Sequence, residues 1–170
     1  MPSTTKTRMT NRRPPAGTAL FLIGMRPTKP WRLRAWLSVY VAMPGMLVHL
    51  RRHRDAGMLS ARVYAGGSFL VVSYWRSADD LRRFAADPDA PHLPAWRRYV
   101  RRLAGTDSVG IWHETYVIGE HETVSEGMPP WGLAEAVGAE SVSVGTTTAA
   151  RRIAQSAPVQ SAPVQSAPAD

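Results

Sequence analysis

His92 stands between Pro91 and Pro94. Proline on both sides limits backbone freedom and would hold an imidazole in place. An imidazole so fixed can serve as a general base or as an axial ligand of haem. The competing role is structural, with the ring hydrogen-bonded to a loop carbonyl. His113 and Glu114 lie in a second run, Val109 to Ile118, that reads as a strand. Neighbouring strand side chains point to opposite faces, so these two cannot form a stacked acid–base pair. Trp112, Glu114 and Tyr116 share one face of that strand; Ile111, His113 and Thr115 share the other. A carboxylate among aromatic rings suits proton transfer, because its ionised form is poorly solvated there. Pairing with an arginine across the sheet is the alternative. His92, Glu114 and His113 are therefore the candidate catalytic residues.

Trp31, Trp36, Trp75, Trp96, Trp112 and Trp131 could line a flat aromatic pocket or simply pack a core. Trp75 and Trp112, on neighbouring strands, are the best placed for a pocket. Arg26 follows an apolar run and could meet an anionic substrate or its enolate; a salt bridge is the alternative. Arg26, Trp75, Trp96, Trp112 and Tyr116 make up the candidate substrate-binding set. His49 and His53 have the i, i+4 spacing of a helical metal site. No carboxylate lies between them, and Arg51, Arg52 and Arg54 surround them with positive charge, so no metal is expected.

The 170 residues include no cysteine, which removes disulfides, thiolate nucleophiles and cysteine-ligated clusters. The net charge of +8 permits an anionic partner. The basic runs 51–54 and 97–102 read instead as solvated helix faces, and their aromatics are not interleaved as a stacking platform requires. No nucleic-acid partner is expected. Glycine-rich phosphate loops, nucleophile elbows and dinucleotide fingerprints are absent from the sequence. The longest charge-free apolar stretch, Ala35 to Leu50, is shorter than a membrane span of about 18–20 residues and contains Pro44-Gly45. No clear signal segment is seen at the N-terminus. A soluble, cytoplasmic protein with no membrane partner is expected.

These side chains must be positioned by elements that the punctuation marks out. Ala19 to Gly24 reads as a strand buried on both faces, followed by a proline-bounded loop. Trp31 to His53 reads as helical with a break at Pro44-Gly45; Trp36, Leu37, Tyr40 and Val41 fit one face before it, and Met46, Leu47 and Leu50 fit one after it. Ala61 to Ala65 and Phe69 to Trp75 read as a hairpin through Gly66-Gly67-Ser68. Ser77 is placed to cap the next helix. After the loop 87–91, Trp96, Tyr99, Val100 and Leu103 form a helical stripe opposite four arginines. The order strand, helix, strand, strand, helix, strand predicts an α+β fold: the ferredoxin-like split βαβ arrangement with a four-stranded antiparallel sheet. Helices then cover one face only, so a second copy on the other face is expected, giving a homodimer. Residues 1–17 read as a mobile basic arm, 18–137 as the folded domain, and 138–170, with its SAPVQ repeats, as a disordered tail. Both ends are expected to be dispensable for folding.

Several segments resemble a monooxygenase-like family of dimeric α+β-barrel proteins. They are Gly24-Met25-Arg26; Ala42-Met43-Pro44; Ser73 to Ser77; Asp87-Pro88 with His92 to Trp96; Gly110 to Tyr116; and Met128 to Leu133. The resemblance covers nearly all of 18–137, with the segments in order. It implies a dimeric α+β barrel with a cavity between sheet and helices. Proteins of that fold include cofactor-independent oxygenases of aromatic polyketides and haem-binding aldoxime dehydratases. The expectation that follows is a monooxygenase acting on a hydrophobic aromatic or polyketide-like molecule with dioxygen, without flavin or nicotinamide. His92 or Glu114 would deprotonate the substrate, and its carbanion would reduce dioxygen in a water-poor pocket. The alternatives are a haem protein with His92 or His113 as axial ligand, or a non-enzymatic module that only binds a small molecule.

Overall fold

The computed structural model describes residues 8–66, 68–102 and 105–157. The side chains of 34–36, 38–42 and 102 fall outside that set, and so do the expectations placed on Trp36, Tyr40, Val41, Leu103 and most of the repeat tail. The described elements are β1 (Arg8–Asn11), β2 (Ala19–Pro27), α1 (Leu33–Arg52), β3 (Met58–Ala65) and β4 (Phe69–Trp75). They continue with α2 (Ala78–Ala86), α3 (His92–Arg102), β5 (Val109–Val117), β6 (Ser125–Glu126), α4 (Leu133–Val137), β7 (Ala139–Ser141) and α5 (Ala149–Ser156).

Strands β2 to β5 form one antiparallel sheet in the order β3–β4–β2–β5. This is the ferredoxin-like topology, with the apolar strand β2 in the interior as its composition requires. Ser77 caps α2, its hydroxyl accepting from the Asp80 amide at 3.0 Å. The core lies between the sheet and the helices: Ala19, Met58 and Trp75 from the strands meet Leu50, Leu81 and Phe84. Gly57 ends the turn after α1 with φ +98°, and a Cβ there would lie 2.6 Å from that of Asp80. Both the backbone and the space demand glycine.

Three expectations change. The helix α1 is not broken at Pro44-Gly45 but runs through it. A proline removes one intrahelical hydrogen bond, and here the turn after it is held by Leu47 and Leu50, which pack on the core. The arm and the tail also contribute structure. The strand β1 is the centre of a second sheet, β6–β1–β7, and Thr10 is buried there with its hydroxyl donating to the Thr123 carbonyl at 2.9 Å. The helix α5 is pinned by Arg152, which is buried, pairs with Glu122 at 2.7 Å and donates to the carbonyls of Thr146 and Thr147. Residues 8–17 and 138–157 are therefore not dispensable appendages.

Thirdly, half of the helix-free sheet face carries its own cover. Trp131 donates to the Tyr64 hydroxyl at 2.8 Å and lies under the Arg62 guanidinium, which pairs with Glu135 at 2.6 Å. The β2–β5 half stays open, with Trp112 and Tyr116 exposed. There the Trp112 indole crosses Gly24, and a Cβ on residue 24 would stand 2.2 Å from Nε1. Gly24→Ala should therefore destabilise the protein by about 1–3 kcal/mol in urea unfolding, and the loss should shrink in a Trp112→Ala background. An unchanged midpoint for Gly24→Ala would contradict this packing.

Candidate functional site

The strand register sorts the candidate residues onto two faces. Ala19, Phe21, Ile23 and Met25 point to the helices and stand beside Trp75, Ser73, Val71 and Phe69 on β4. Their partners on β5 are Val117, Thr115, His113 and Ile111. Leu22, Gly24 and Arg26 point the other way, with Glu114, Trp112 and Gly110 beside them.

Between the helix-side face and α1 lies a cavity of about 330 Å³. Ile23, Met25, Val71 and Phe69 form its floor, and Met43, Leu47 and Arg51 come from α1. Among the described lining residues Phe69 is the one aromatic and Arg51 the one charged group. Ile23, Met43, Leu47 and Val71 also border an inner lobe of about 70 Å³, which reaches Met58, Trp75, Phe84 and His92. The two spaces thus share four lining residues, with Arg51 on the outer space and His92 on the inner lobe.

His92 is the first residue of α3 rather than part of a loop, and Pro94 sits in the first helical turn, where a missing N–H costs nothing. Its Nδ1 lies 3.2 Å from the Ala85 carbonyl. A carbonyl can only accept, so Nδ1 donates to it and Nε2 is the nitrogen left for another partner. The ring also packs 6.0 Å from Phe84, centroid to centroid. The structural role foreseen for this histidine is thus real. It also fixes the tautomer that leaves Nε2 able to act as a base. His113 shares the helix-side face and lies 6.0 Å from the Phe21 ring, but it is exposed and does not line the cavity.

The other candidates are not gathered there. Glu114 and Tyr116 are exposed on the opposite face, where the Tyr116 hydroxyl donates to Glu114 at 2.7 Å. The carboxylate therefore pairs with a neighbouring phenol, not with an arginine across the sheet. Accepting that bond and repelling a second negative charge, Glu114 raises the Tyr116 phenol above its ordinary value of about 10. Tyr74 is raised too, first by burial and then by the nearby Tyr64 phenol. Trp112 lies over Gly24 and Arg26 is exposed on this same face. Trp96, on α3, stacks on Tyr99 at 5.3 Å and is 45% exposed, outside the cavity lining. Trp75 does border the inner lobe, but as a core residue 2% exposed, its indole N–H donating to Ser73 Oγ at 3.0 Å.

The pocket foreseen as an aromatic slot is therefore, among the described residues, walled mainly by aliphatic and thioether side chains. Sequence reasoning missed Arg51, which was read as part of a solvated basic run. The signal was present: Met43, Leu47 and Arg51 fall at i, i+4 and i+8, one stripe of a helix. The His49 and His53 rings lie 4.2 Å apart, centroid to centroid, tilted by 32°. Among the described residues no group of three or more His, Asp or Glu side chains is placed to hold a metal ion. No described helix is long and apolar enough to cross a membrane.

A four-stranded antiparallel sheet with helices on one face and an apolar cavity beneath them defines a ferredoxin-like α+β fold. The model of the monooxygenase af470-like family matches residues 18–133, and the chain belongs to that family. No curated protein is significantly similar in sequence. Among solved structures, the aldoxime dehydratase OxdRE in complex with butyraldoxime is 19% identical, with a TM-score of 0.56 over 66% of this chain and 34% of that one. A second aldoxime dehydratase is also 19% identical, with a TM-score of 0.54 over 66% and 35%. The match thus spans about a third of those enzymes, and at this identity it shows the fold alone. The cofactor-independent oxygenase SnoaB from Streptomyces nogalater is 15% identical over 62% of this chain and 97% of its own, but a TM-score of 0.44 carries no argument here.

Proposed function

We propose that this protein is a monooxygenase that oxidises a hydrophobic, aromatic or polyketide-like small molecule in the helix-side cavity, with dioxygen as oxidant and without flavin or nicotinamide. The observation that carries the reading is His92 at the inner end of an apolar cavity, with Nδ1 committed to Ala85 and Nε2 left basic. Membership of a monooxygenase-like family supports it.

The chemistry asks little of the protein. Nε2 removes a proton from a substrate CH₂ activated by neighbouring carbonyl or phenol groups. The carbanion transfers an electron to dioxygen, and the two radicals combine at that carbon. Loss of water leaves a carbonyl, so that R₂CH₂ + O₂ gives R₂C=O + H₂O, with all four electrons coming from the substrate. Apolar walls exclude water from the radical pair and keep the imidazole from being solvated.

The haem alternative is less well served. A porphyrin beside His92 would need a broad slot, and the inner lobe is about 70 Å³, against roughly 300–1,000 Å³ for ordinary small-molecule sites. His113 lies outside the cavity lining. The cofactor-free reading is therefore the one preferred.

We also infer that a second copy covers the open β2–β5 half of the sheet, where Trp112 and Tyr116 are exposed. Sedimentation at micromolar concentration should then give twice the 18.7 kDa chain mass, and a monomer at all concentrations would refute the pairing.

Anthrone, whose ring CH₂ is doubly activated, is a suitable probe of the chemistry. The protein should consume dioxygen and form anthraquinone, and His92→Ala should slow this at least tenfold while shifting the thermal midpoint by no more than a few degrees. His113→Ala should remain active. An active His92→Ala beside an inactive His113→Ala would move the base to β5, and no turnover by the wild type would overturn the oxygenase reading for aromatic substrates.

A further inference from the structure

The cavity has chemically different ends. Arg51 borders the outer space and not the inner lobe, whereas His92 borders the inner lobe and not the outer space. Between them the described walls are Ile23, Met43, Leu47 and Val71, with no charged group among them. Arg51 is exposed at the mouth, and no carboxylate among the described residues pairs with it. This sets it apart from Arg8, Arg62, Arg76, Arg82, Arg83 and Arg152, each of which pairs with an Asp or Glu. A guanidinium with no partner, on the rim of an otherwise apolar cavity, offers a planar pair of donors to an incoming anion.

We propose that the cavity takes an anionic amphiphile: a carboxylate held by Arg51 at the mouth, with an apolar body that carries the activated CH₂ running inward toward His92. The inference rests on the cavity being the substrate site and adds the class and the direction of the bound molecule. Direction has a chemical consequence. The acid group and the reacting carbon lie at opposite ends of the ligand, so oxidation falls remote from the carboxylate. The walls fit a flexible body. Met25 and Met43 line the outer space, Met46 and Met58 the inner lobe, and unbranched thioether side chains adapt to bent or varied ligands.

Decanoate and 1-decanol are matched probes, with equal apolar length and different head groups. Calorimetric titration of the full chain should show decanoate binding about tenfold more tightly than decanol, the increment expected for one charge-assisted contact. Arg51→Gln should abolish that preference and leave decanol affinity within about threefold, while Arg51→Lys should restore part of it. Arg52→Gln, on the same helix and outside the cavity lining, is the control for general positive charge and should change nothing. Equal binding of the two probes by the wild type, or an equal loss in Arg52→Gln and Arg51→Gln, would overturn the assignment of Arg51. Failure of both probes to bind would instead refute the cavity as the substrate site, whatever the oxygenase assay shows.

Discussion

The two-residue period of the β-strands decides which candidate groups can act together. On β5 it sends Ile111 and His113 toward the helices and Trp112, Glu114 and Tyr116 away from them. The central strand β2 repeats the division, with Ile23 and Met25 in the cavity floor and Gly24 and Arg26 on the far side. No side-chain rotation moves a residue across the sheet. The acidic and aromatic candidates are thus separated from the imidazole by a layer of backbone, and the chemistry falls to the residues the helices bring.

Those residues come from two helices with opposite roles. The helix α1 lies over the sheet and supplies Met43, Leu47 and Arg51, an apolar wall ending in a charge. The start of α3 supplies His92, whose ring is fixed by a carbonyl at the end of α2. An unpaired ion deep in an apolar space would be costly, and the charge here is at the rim, where water can reach it. The imidazole of His92 is the group that lines the inner lobe. On the proposed reading, this arrangement keeps the interior water-poor while leaving His92 as proton acceptor and Arg51 as anion anchor.

Much of the frame is legible in the sequence because it depends on local rules. The alternation in 109–117, the Gly-Gly hairpin, the Ser77 cap and the apolar strand at 19–24 all state their positions through spacing and turn chemistry. What could not be read depends on partners distant in the chain. The strands β1, β6 and β7 have four, two and three residues, too short for a period, and exist only because they pair with each other. The passage of α1 through Pro44 is decided by packing that follows the proline. Trp96 and Trp112 have the right type for a flat pocket, yet one lies on a helix surface and the other across Gly24. Arg51 was hidden inside a basic run, although its spacing from Met43 and Leu47 puts it on the cavity stripe.

The central claim is that small molecules bind between the sheet and α1, and not on the open sheet face. Met25 and Met43 report on the cavity and the Trp112 indole on the open sheet face, while Met128, 46% exposed and outside the cavity lining, is a surface control. Carbon-13 labelling of the methionine methyl groups allows each to be followed by NMR during a titration with decanoate. The account predicts progressive shifts of the Met25 and Met43 signals, with the Met128 methyl and the Trp112 indole unmoved. Shifts confined to Met128 and Trp112, with Met25 and Met43 unchanged, would contradict it.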